Sequence, residues 1–157
     1  MKKSVVVAVL FCLAGIPAFA QTSKIPVVVQ ASVNENDAVG RAVVFEVKDA
    51  LGRSSAFQLV EGFKYRQPRD QADTVPVIRL ILPSLPTNDG LGTAIAQTVV
   101  YDAPAMPVGG LFIAASLHTC GSSKAVDCAH SILSDLDQQM TALKKDHEDF
   151  WQRLVVR

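Results

Sequence analysis

Cys120-Gly-Ser-Ser-Lys-Ala-Val-Asp-Cys128 marks the point where the chain changes from one structural pattern to another. Ahead of it, Leu111-Phe-Ile-Ala-Ala-Ser-Leu117 is an apolar run of strand length. Its weak alternation predicts a central strand, covered on one face by helices and partly on the other. Beyond it, Val126, Ala129, Leu133, Leu136, Met140 and Leu143 recur at helical spacing, with Asp127, Ser134, Asp135, Asp137 and Lys144 off the stripe. No glycine or proline follows Gly121, so this is a long helix with Ser122 or Ser123 as its cap. Carried on to about residue 152 it would be roughly 45 Å long, against a body about 37 Å across. Its last turns should overhang or fray.

The cysteines at this junction invite three readings. His118-Thr-Cys120 and Cys128-Ala-His130 suggest zinc, but residues two apart on a helix diverge by about 200°, so Cys128 and His130 do not meet one ion. A redox dithiol would need the tight Cys-x-x-Cys turn, which is absent. A structural disulfide between Cys120 and Cys128 remains, with roughly 2–3 kcal/mol of loop-closure stabilisation. No metal or other cofactor is expected.

The beginning of the chain supplies the compartment. Met1-Lys-Lys is followed by an apolar stretch to Gly15 and by Ile-Pro-Ala-Phe-Ala20, the pattern of a cleaved Sec signal. The third cysteine, Cys12, lies inside that segment and outside any lipobox. The mature chain, 21–157, is expected to be periplasmic or secreted, where an even pair of cysteines oxidises. Loss of Lys2 and Lys3 leaves 13 basic residues against 15 acids, which argues against nucleic-acid binding. No later apolar run is long enough to span a membrane, so none is expected after cleavage.

Between these landmarks the chain reads as one small α+β domain. Val27–Val33 is β-branched and strand-like, with Pro26 suggesting an edge. Asn34-Glu-Asn-Asp37 can cap a first helix in which Val39, Ala42, Val43, Val47, Ala50 and Leu51 form a face, with Gly52 as an αL terminator. A valine-rich strand over 41–47 is the competing reading. Residues 54–61 read as a second strand, 62–73 as a polar connection, and 74–82, 93–102 and 111–119 as a three-stranded antiparallel meander. The expected architecture is an antiparallel four- or five-stranded sheet in the order strand, helix, strand, meander, long helix, with both helices on one face.

Function is less legible. No Gly-x-Ser-x-Gly, His-Glu-x-x-His or phosphate-cradling glycine loop occurs, so a non-catalytic role is favoured without enzymatic activity being excluded. Phe150, Trp151 and Leu154 cluster in the tail 150–157, and Lys64, Arg66 and Arg69 cluster in the polar connection. These are the candidate partner-binding residues. The leading expectation is a protein-binding or accessory module of the cell envelope, an inhibitor, immunity-type factor or assembly partner, contacting another envelope protein or itself. The alternative is a small hydrolase or ligand-binding protein using an open sheet face near Arg79 and His118.

Overall fold

The computed structural model describes residues 24–61, 76–102 and 110–149. In chain order these form β1 (Ile25–Ser32), α1 (Ala38–Arg53), β2 (Phe57–Leu59), β3 (Val77–Pro86), β4 (Gly92–Asp102), β5 (Leu111–Gly121) and α2 (Ala125–Asp146). The α+β class and the five strands agree with the sequence reading, and so does the antiparallel run β3-β4-β5. An all-antiparallel sheet does not. The strand order is β2-β1-β3-β4-β5, and β1 pairs in parallel with both β2 and β3. α1 packs across one face and carries the chain back to the end of the sheet where β1 began, so the strand after it runs parallel to β1.

This order moves two strands from their expected places. β1 lies inside the sheet despite Pro26. Ile25 and Val27 direct their backbone groups to β2, through Ile25 N–H to Ala56 O at 2.9 Å and Val60 N–H to Val27 O at 2.8 Å. Pro26 therefore faces β3, whose pairing with β1 begins only at Val27–Ile78, and its missing donor costs no ladder bond. β5, expected to be central, is the outer strand at the far edge.

The core forms between one sheet face and the two helices. Ile25 and Val27 of β1, Ile78, Leu80 and Leu82 of β3, and Ile95 and Val99 of β4 join Cys120 in a single cluster with both helices. α1 contributes Val39, Val43, Val44, Val47 and Leu51, and α2 contributes Cys128, Ala129, Ile132, Leu136 and Met140. The stripes are rotated slightly from those expected: Val44 and Ile132 are buried, whereas Ala42 and Val126 are exposed. Both helices lie on one face, as the sequence suggested, and they also pack against each other.

Several local signals resolve differently. Asp37 caps α1 as expected, accepting from Gly40 N–H, but Gly52 stays helical and Ser54, in extended conformation, ends the helix. Lys124 occupies the N-cap of α2 without a side-chain bond, so neither Ser122 nor Ser123 serves. α2 has 22 residues, about 33 Å, and stops at Asp146, with His147 leaving helical geometry at φ −141°. β3 runs past its expected end through Pro83, where its ladder with β4 is interrupted while the register is kept.

Candidate functional site

Among the described residues, three places are considered for their polar or exposed side chains. The first is Asp37, whose carboxylate is almost wholly buried where α1 meets the sheet. Its Oδ1 accepts Gly40 N–H at 2.7 Å, and its Oδ2 accepts the Ser84 hydroxyl at 2.7 Å. Thr93 Oγ1 lies 2.7 Å from the same Oδ2 and 3.1 Å from Leu85 O, and its single proton goes to the shorter, charge-assisted bond. Burial, the largest influence, opposes ionisation, but the Thr93, Gly40 and Ser84 bonds and the nearby Arg41 guanidinium outweigh it and lower the pKa. With its oxygens already engaged away from solvent, Asp37 ties α1 to β3 and β4 and is not placed to meet a substrate.

The second place is beneath α2. His118 Nε2 lies 2.9 Å from Gln97 Oε1, 3.1 Å from Ser116 Oγ and 3.5 Å from Asp135 Oδ2. Serine, histidine and aspartate together suggest a hydrolytic triad, but a triad needs the carboxylate on one ring nitrogen and the nucleophile on the other. Here Ser116 and Asp135 both address Nε2. Two acceptors facing that nitrogen fit an Nε2–H tautomer that joins α2 to β4 and β5.

The third place is the sheet face opposite the helices. Arg79 and Asp102 approach to 3.5 Å there, with side chains 13% and 15% exposed. Next to them Val77 and Val100 are buried, whereas Phe112, opposite Val100, is 61% exposed. Towards the other end the rows are uncharged. Leu85 pairs with Ala94 and Ala94 with Thr119, while Leu117 stands opposite Ala96. Leu85 and Leu117 are each 72% exposed.

This geometry separates residues that the sequence reading grouped. Arg79 belongs to the open face, but His118 shares strand parity with Cys120 and lies on the helix face. The two therefore do not form one site. Cys120 and Cys128 are joined as a disulfide, with Cα atoms 5.8 Å apart, linking β5 to α2. Among the described residues no group of three or more His, Cys, Asp or Glu side chains could hold a metal ion. Phe150, Trp151, Leu154, Lys64, Arg66 and Arg69 lie outside the described residues.

Two features escaped the sequence reading. The Asp37 network was signalled by strand parity, since Ser84 continues the inward series Ile78, Leu80, Leu82, and Thr93 begins the series Ile95, Gln97, Val99. The exposed apolar rows were not signalled, because Leu117 sits in a run that reads as buried.

No family model matches the chain, and no curated protein matches it. Among solved structures it is similar to a PelC dodecamer from Paraburkholderia phytofirmans, at 18% identity and TM-score 0.41, covering 75% of this chain and 89% of that one. A single-substitution variant of the same dodecamer gives 18% identity and TM-score 0.40, with 75% and 91% covered. A likeness this loose carries no inference about what the chain does.

Proposed function

We propose that this chain is an exported, non-catalytic protein-binding or accessory module of the cell envelope, periplasmic or secreted, which contacts an envelope protein or its own copies. Export rests on the signal pattern of residues 1–20, and the Cys120–Cys128 bond fits an oxidising compartment. The observation that carries the contact role is the exposure of Leu85 and Leu117, 72% each, on a sheet face that is uncharged around them. Exposed apolar area of this kind is retained where a partner covers it. The polar constellations support the same reading, since Asp37 is saturated and the His118 cluster lies beneath α2.

Site-specific photo-crosslinking in the producing cell tests it. A photoreactive residue at Leu85 or Leu117 is expected to give discrete envelope adducts, while one at Ser131, exposed on α2, gives none. Equal labelling from all three positions, or none from any, would contradict the proposal.

A further inference from the structure

Of the exposed apolar features, β5 is the one whose backbone also specifies what can cover it. The register pairs Thr93 with Cys120, Ile95 with His118 and Gln97 with Ser116, and just beyond it Ser122 N–H bonds Leu91 O at 2.8 Å. In an antiparallel ladder, hydrogen-bonded and non-bonded pairs alternate. The bonded series is therefore Leu91–Ser122, Thr93–Cys120, Ile95–His118 and Gln97–Ser116. The alternate residues, among them Ala115, Leu117 and Thr119, turn their N–H and C=O groups away from β4. They belong to the outermost strand, and all three are exposed.

Protein edges are usually guarded by a charge, a proline or a very short strand. β5 has none of these protections: it is 11 residues long and contains no Lys, Arg, Asp, Glu or Pro. Its one irregularity is the register shift opposite Val99 and Val100, which leaves the stretch from Ala114 onward regular. The opposite edge, β2, has only 3 residues, so head-to-tail pairing of β5 with β2 would be short. A strand without charge meets no like-charge repulsion when it meets itself, and two-fold pairing uses the long edge on both sides.

We infer that the β5 edge is covered by β5 of a second copy, antiparallel and centred on Leu117, making one continuous sheet. This rests on the contact-surface reading given above and names the occupant of its β5 side. In this register Leu117 faces Leu117 of the second copy, Ala115 faces its Thr119, and Thr119 faces its Ala115. These three outward-facing pairs supply about six backbone hydrogen bonds. The two exposed leucines become direct cross-strand neighbours on the open face.

The test uses the folded, oxidised mature chain. Sedimentation over a wide concentration range is expected to show a monomer–dimer equilibrium whose dissociation constant rises at least tenfold in Leu117→Lys, where two like charges would meet, and in Thr119→Pro, which removes an outward N–H. Ala42→Lys, on the exposed side of α1, should leave it unchanged. Register is read separately: Leu117→Cys should cross-link to itself on mild oxidation, since bonded antiparallel pairs have Cα atoms about 5.5 Å apart, within disulfide reach. Thr119→Cys should not, its symmetry mate lying about 14 Å away. A wild-type chain that stays monomeric at about 1 mM, or cross-linking that is equal at both positions, overturns the inference. If it is monomeric while photoreactive residues at Leu85 and Leu117 still capture a different envelope protein, self-pairing fails and the contact-surface reading stands.

Discussion

Asp37 shows how one residue can hold a boundary between elements. Asp37→Ala would leave the Ser84 and Thr93 hydroxyls and the Gly40 N–H without their acceptor, and an expected loss of about 3 kcal/mol should appear in urea unfolding. The pH dependence has a definite sign. The folded pKa is lowered below 3.8, so the unfolded chain binds the proton more readily. The contribution of Asp37 is present above pH 3.8 and is lost as pH falls through its lower folded value. Comparing acid unfolding of the wild type with Asp37→Asn should show that window flattened in the variant. Gly40 belongs to the same network, since a Cβ there would lie 2.4 Å from Asp37 Oδ2 and 2.6 Å from Ser84 Oγ. Glycine to alanine within a helix ordinarily stabilises by about 1 kcal/mol. Here Gly40→Ala should instead destabilise by about 1–3 kcal/mol, read as a lower urea midpoint.

At the scale of elements, the disulfide is the contact the sequence announced most directly. It closes a loop between β5 and the first turns of α2, so reduction should lower stability by about 2–3 kcal/mol without changing the fold. Urea curves with and without reductant, checked by circular dichroism, measure both effects. The two helices were legible from apolar spacing, and the meander from its proline- and glycine-rich turns. Parallel pairing of β1 was less visible because it depends on where α1 returns the chain, which residue composition does not express. Pro26 misled for a related reason: proline excludes a ladder donor, and a strand inside the sheet can tolerate that where its neighbour has not yet begun. Gly52 did not need positive φ because Ser54 ends α1 in extended conformation and its N–H bonds Leu51 O.

For the whole molecule, the candidate surface emerged where sequence and structure disagreed. Leu111–Leu117 has the composition of a covered strand, and the single chain leaves it at an edge with Leu117 exposed. A second copy paired along Ala115–Thr119 lessens that conflict, since β5 becomes an inner strand of a longer sheet and Leu117 packs beside its own copy. Export makes its own prediction: intact mass of the secreted or periplasmic form should correspond to a chain beginning at Gln21 with no free thiol. A retained leader or two free cysteines would contradict the proposed export. The most direct measurement of the β5 contact is residue-resolved amide hydrogen exchange at two protein concentrations. At high concentration the amides of Ala115, Leu117 and Thr119 should be protected, and on dilution they should exchange freely while Ser116 and His118 stay protected. Fast exchange at Ala115, Leu117 and Thr119 at every concentration would show that the β5 edge stays open and that no second strand covers it.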